Sequence, residues 1–238
     1  NVNINKEEKN DVEQMTIKLT LLNRLLTKTP VESIEKETLL KLVKFIIDDK
    51  LDVKTNSFIR MEAARCLYNM LMLQDDNKFL LEHSDVDITK ILDACKWKAG
   101  AQANVALSHI IKSISCLISR GASCPKVTDI IKGYIDSESV DVRMSCIELA
   151  SKCPADKKIS SLLVYRLNDN TTSVVKYALD TFRLHLPSLL EPGDNSNNAS
   201  TSPIDPVSEE CGYLIILHSF SGLESVKELC CDLISFIK

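Results

Sequence analysis

Apolar residues return every three to four positions along almost the whole chain, and short polar turns break that rhythm at helix-length intervals. A period of 3.6 places such residues on one face of an α-helix, whereas a half-buried strand alternates with a period of two. Met15, Leu19, Leu22, Leu25 and Leu26 form the first stripe, which stops at Thr29-Pro30 because proline disfavours helix at the residue before it. A second helix is expected over residues 32–49, with Leu39, Leu42, Val43, Ile46 and Ile47 facing inward. Ser57 reads as the N-cap of a third, whose inward stripe is Phe58, Met61, Ala64, Leu67, Tyr68 and Leu71. Further helices are expected over 85–98, 101–119, 126–135, 140–152, 157–168 and 171–186, with Gly121 and Pro125 ending the long one.

Composition supports the all-α reading. The 238 residues include only 6 glycines and 5% aromatics, too few of either for a sheet protein's turns and strands. The polar residues 1–10 are expected to be disordered, and helical repeats to fill 11–190. Residues 191–206, EPGDNSNNASTSPIDP, hold almost no apolar side chains and read as a disordered loop. A helix pair over 207–238, split as 207–220 and 223–237, is expected to continue the stack. Its last helix is still amphipathic at Lys238, so a further segment or partner is expected to cover it.

Three segments superimpose in pattern. They are Ile59-Arg60-Met61-Glu62-Ala63-Ala64-Arg65-Cys66-Leu67, Val142-Arg143-Met144-Ser145-Cys146-Ile147-Glu148-Leu149 and Val174-Val175-Lys176-Tyr177-Ala178-Leu179-Asp180-Thr181-Phe182. Each opens apolar-basic, places a small residue a turn later and continues one apolar face. In the third the basic residue is shifted by one position. Short polar turns precede the second and third. The pattern resembles the HEAT repeat family, and the armadillo family more loosely, best at Asp141-Val142-Arg143 with Cys146. The resemblance spans about residues 57–186. It implies a right-handed α-solenoid of about five stacked antiparallel helix pairs that offers its inner helices to partners, and it implies no catalytic residues. Physics points the same way: one hairpin cannot bury its own stripe, while stacked hairpins share a continuous core. An irregular helical bundle uses the same residue alphabet and stays open as the alternative.

Chemistry-bearing patterns are sparse. There is no CxxC, HxxxH, GxSxG, GxxxxGK or GxGxxG. His83, His109, His185 and His218 are far apart in sequence, and Cys230-Cys231 are helix neighbours pointing about 100° apart. Asp48-Asp49 and Asp75-Asp76 read as solvated loop charges. The expectation is a non-enzyme with no cofactor and no metal. Nine cysteines, an odd number, sit mostly in apolar helical runs and read as reduced core thiols, which places the chain in the cytoplasm or nucleus. No run reaches a membrane span and no leader opens the sequence, so neither membrane nor secretory signal is expected, although a chain opening on Asn1 leaves room for an earlier segment. The sequons at Asn170 and Asn198 then have no use.

Surface residues carry the remaining signal. Lys152, Lys157, Lys158, Arg166, Lys176 and Arg183 form either a basic ridge for an acidic peptide or phosphate backbone, or a solvated face that balances nearby acids. Trp97, the lone tryptophan, is either an exposed partner-binding anchor or a cap on the core between hairpins. Ser202, before Pro203, fits a proline-directed phosphorylation site. The reading is a protein–protein interaction scaffold, part of a larger assembly, that binds a protein partner along a helical groove. The alternative is a nucleic-acid or chromatin-associated repeat protein using the ridge around residues 152–183, although the net charge of −4 does not favour it.

Overall fold

The computed structural model describes residues 6–28, 34–52, 54–72, 88–94, 101–153, 157–190, 212, 215 and 224–237. Among them there is helix and turn and no strand. The chain divides into two compact units, Asn1–Pro125 and Lys126–Lys238. The expected disorder at 191–206, the helix over 207–220 apart from Gly212 and Ile215, and Trp97 and Ser202 lie outside the described residues.

In the first unit, helices α1 (Lys6–Leu26), α2 (Lys36–Phe45), α3 (Ser57–Met72), α4 (Ile88–Ala94) and α5 (Ala101–Ser119) follow in order. α1 starts at Lys6, so residues 6–10, expected to be disordered, are helical. α2 runs directly into a π-helical turn, Ile46–Lys50, closed by a bond from the Leu51 N–H to the Ile46 carbonyl. α3 is the hub, packed against α1, α5 and the π-helical turn. With neighbours on several sides, it buries Ile59, Ala63, Cys66, Leu67, Met70 and Leu71 rather than one narrow stripe. Phe58, expected inward, is 48% exposed. The cap also differs from expectation. Asn56, not Ser57, closes the start of α3: its Oδ1 accepts from the Phe58 N–H at 2.9 Å, and its carbonyl accepts from Arg60. Asparagine one residue earlier satisfies the same orphan donors. α5 ends as Gly121 led one to expect. Gly121 takes φ 97°, its N–H bonds to the Ile118 carbonyl, and the Ala122 N–H bonds to the Leu117 carbonyl. That double bond pattern is a Schellman stop, and only glycine enters it without strain.

The second unit contains α6 (Val127–Tyr134), α7 (Val140–Ser151), α8 (Lys157–Arg166), α9 (Thr172–Leu190) and α10 (Glu224–Ile237). α9 packs against α7, α8 and α10, while α6 packs against α7 and α8. Val142, Cys146, Ile147 and Leu149 of α7 meet a core that also holds Leu163, Leu167, Val174, Ala178 and Leu179. The best-matched repeat segment therefore does what a repeat helix must, burying small and branched residues where helices approach closely.

His185 on α9 is buried in this unit. It is 2% exposed, and its Nε2 lies 3.1 Å from the Ala150 carbonyl, to which it donates as N–H. Burial pushes its pKa below the ordinary 6.5, and the Ala150 bond only partly opposes this. The folded chain therefore binds a proton less readily than the unfolded chain. Stability from this group is full above pH 6.5 and drains away as pH falls below it. Between pH 7 and 5 the urea midpoint should fall in the wild type, and less in His185→Gln. Equal slopes would remove His185 as the cause.

Candidate functional site

α1 carries two apolar faces. Leu19 and Leu26 are 3% and 2% exposed, and Asn23 is buried between them. Ile17, Leu21 and Leu25 are 52%, 52% and 62% exposed. At 100° per residue they lie on the side turned away from Leu19. Leu25 was expected to face inward with Leu26; it lies about 100° round the helix from Leu26, and Leu26 took the core position while Leu25 stayed outside. Beside this outer face stands Phe58, from the first turn of α3. Val12, Glu13, Thr16, Ile17, Thr20, Leu21, Arg24 and Phe58 line a shallow groove of about 550 Å³. Its floor is apolar. Glu13 stands toward one end and Arg24 toward the other, and both are exposed. The sequence signal for this face was present as Ile17, Leu21 and Leu25 at four-residue spacing, but a single-stripe reading passes over a second stripe.

The basic residues were a second candidate. Lys152 follows α7, Lys158 lies on α8, and Lys176 and Arg183 lie on α9; all four are exposed. The side chain of Lys157 lies outside the described residues. Arg166 is drawn inward instead. Its side chain is 18% exposed, with Nη2 2.7 Å from Asp136 and Nη1 3.0 Å from Asp169. Arg183 stands 4.0 Å from Asp232 of α10. A guanidinium already matched by two carboxylates attracts a further anion weakly, so two of the ridge's charges face local acids.

Arg166 belongs to a buried ionic cluster centred on Arg143. Arg143 is 6% exposed. Its Nη1 donates to the Ser137 and Glu138 carbonyls at 2.8 and 3.1 Å, and its Nη2 donates to Asp169 Oδ1 at 3.0 Å. Its Nε stands 2.8 Å from Asp169 Oδ2, an ion-pair contact rather than an aligned hydrogen bond. Burial pushes the Asp169 carboxyl upward. The hydrogen bonds from Arg143 and from the Thr171 N–H, with both guanidinium charges, outweigh burial and hold it below its ordinary 3.8. This cluster ties the turn before α7 to the turn before α9. The Nη groups of both guanidiniums donate within the protein itself.

Chemically reactive groups are muted. Cys66, Cys146, Cys153 and Cys230 are buried, Cys116 and Cys124 are half-buried, and Cys231 is exposed; all seven are free thiols. Burial, reinforced by the Glu62 charge, pushes the Cys66 thiol up to about 12. Burial and the neighbouring Cys231 push Cys230 up to about 11. Thiols this reluctant to ionise are poor nucleophiles and poor metal ligands at neutral pH. Among the described residues no group of three His, Cys, Asp or Glu is placed to hold a metal ion, and no helix is long and apolar enough to cross a membrane.

No known family's sequence profile matches the chain, and no curated protein matches it in sequence. Solved structures do match in shape. A designed armadillo repeat protein in complex with the peptide (KR)4 aligns with a TM-score of 0.58 at 14% identity, covering 99% of this chain and 95% of that one. The crystal structure of an engineered protein aligns with a TM-score of 0.56 at 14% identity, covering 90% of this chain and 93% of that one. At that identity the likeness speaks for fold alone, and the fold is an all-α helical repeat of the armadillo and HEAT kind.

Proposed function

We propose that the chain is a non-enzymatic protein-interaction scaffold of the cytoplasm or nucleus, and that the outer groove of α1 is its contact face. The carrying observation is that Ile17, Leu21, Leu25 and Phe58 stand half exposed together, while most other large apolar side chains of the described residues are buried. Contiguous apolar surface on a soluble protein marks a site that something covers. A designed armadillo repeat protein of similar shape is known in complex with a peptide, which supports a binding role for the fold without naming this chain's partner.

Leu21→Asp tests the reading. The position is half exposed, so the substitution should shift stability by no more than about 0.5 kcal/mol. Affinity capture after crosslinking in place, with wild-type and Leu21→Asp chains side by side, should recover a stoichiometric protein, a second copy included, with the first and lose it with the second. An apolar-surface dye should also bind the variant less. Equal recovery on both chains, or turnover of a small molecule by the isolated chain, sinks the proposal.

A further inference from the structure

We infer that the occupant of the α1 groove is the same groove on a second copy of this chain, paired antiparallel about a two-fold axis. This rests on the reading of that groove as a contact face. The groove is self-complementary. In an isologous pair, residue i of one copy meets residue j of the other, and j meets i. For two antiparallel helices, residues that face each other therefore have numbers with a constant sum. Ile17 and Leu21 sum to 38, and Glu13 and Arg24 sum to 37, positions read from the sequence. The two sums agree to within one residue, or about 1.5 Å along the axis, well within the reach of Glu and Arg side chains.

A single placement, with the two-fold axis crossing α1 beside residue 19, thus sets Ile17 against Leu21 of the second copy. The same placement sets Glu13 against Arg24, twice over. All four residues line the groove. Antiparallel pairing also lays the two α1 macrodipoles head to tail, the favourable arrangement for neighbouring helices. An unrelated partner helix would need to carry this spacing independently. A second copy carries it by construction.

Size sets the strength. Ile17, Leu21 and Phe58 of the groove, with Leu25 next along the outer face of α1, offer on the order of 400 Å² per copy, about half of the ~800 Å² each partner gives to a standard interface. The pair is therefore weak and concentration-dependent, in the micromolar to millimolar range.

Sedimentation velocity of the full chain from about 1 µM to about 1 mM spans that range. The expected result is a monomer–dimer equilibrium. Leu21→Asp should abolish it. Glu13→Arg should weaken it at least about ten-fold, because each interface then holds two like-charge pairs, and Arg24→Glu should act likewise. The double variant Glu13→Arg/Arg24→Glu should restore dimerisation, since the two-fold axis pairs the swapped charges again. That rescue is specific to self-pairing. A wild type that stays monomeric throughout, or a dimer indifferent to Leu21→Asp or unrescued by the double swap, overturns the inference. A synthetic amphipathic helical peptide, acidic in its first turn and basic in its last, separates the two failures. If wild type is monomeric yet binds this peptide through Leu21, self-pairing falls and the groove reading stands. If it neither dimerises nor binds the peptide, both fall.

Discussion

Arg143→Ala is expected to destabilise the fold by about 3–5 kcal/mol, the cost of leaving a buried charge without its partner. Truncation would strip Asp169 of the Nη2 bond at 3.0 Å and the Nε contact at 2.8 Å, and would also orphan the Ser137 and Glu138 carbonyls. The Asp169 side chain is 2% exposed, so the truncation takes these bonds from a carboxylate that meets little water in the fold. Arg166 would remain at 3.0 Å, which holds the cost below that of an isolated charge. For a chain of this length the loss corresponds to a fall of roughly 10 °C in Tm, readable by circular dichroism or calorimetry. Arg143→Lys should recover only part of it. An ammonium has three donors on one point, whereas the guanidinium fork reaches two carbonyls and a carboxylate at once.

Acid provides an independent check. The folded Asp169 pKa is below the ordinary 3.8, so its contribution is complete above that pH and is lost as pH falls through the lowered folded value. Arg143→Ala should therefore flatten the acid limb of the stability profile. A change under about 1 kcal/mol, with that limb unaltered, would mean the cluster is ornamental.

The Arg143 cluster also shows where reading along the sequence stops. Asp141-Val142-Arg143 was legible as the opening of a repeat helix, since local pattern fixes it. Asp169 was legible only as part of a polar turn, because its meeting with Arg143 is decided by packing across 26 positions. Arg166 suffered the same blindness in reverse. Read along the chain it is one more cation in a basic run; in space it belongs to Asp136 and Asp169. Helix order and type were legible because the 3.6 period is local, as was the stop at Gly121. Orientation was less so. Periodicity counts apolar positions but does not rank them, and when a helix bears two stripes it cannot say which one the neighbours will cover. Leu25 and Phe58 went to the wrong side for that reason, and the groove that Phe58 borders was missed with them.

What ranks the two faces of α1 is a polar contact, and this yields the second large effect. Asn23 is 5% exposed, and its Nδ2 donates to Glu62 Oε2 at 2.8 Å and to the Glu62 carbonyl at 3.3 Å. Its Oδ1 accepts from Asn69 at 3.1 Å, and Arg65 Nη1 stands 3.2 Å from Glu62 Oε1. With Asn23 between Leu19 and Leu26, only one rotation of α1 presents this amide to α3. Asn23→Leu should cost about 2–3 kcal/mol, because Glu62 then stays buried with Arg65 as its remaining side-chain partner. Glu62→Met alone should cost about 1–2 kcal/mol for the orphaned Asn23 amide, and Asn23→Leu combined with Glu62→Met less than about 1 kcal/mol, since the two principal partners leave together, giving a coupling of at least about 2 kcal/mol. Urea unfolding of the two single variants and the double variant measures it. Removing the contact should also remove the orientation. In the double variant the Ile17, Leu21 and Leu25 face can compete with Leu19 and Leu26 for the core, so amide exchange along α1 should quicken even as stability holds. Additive costs with unchanged exchange would show instead that hydrophobic packing alone sets which face of α1 looks outward.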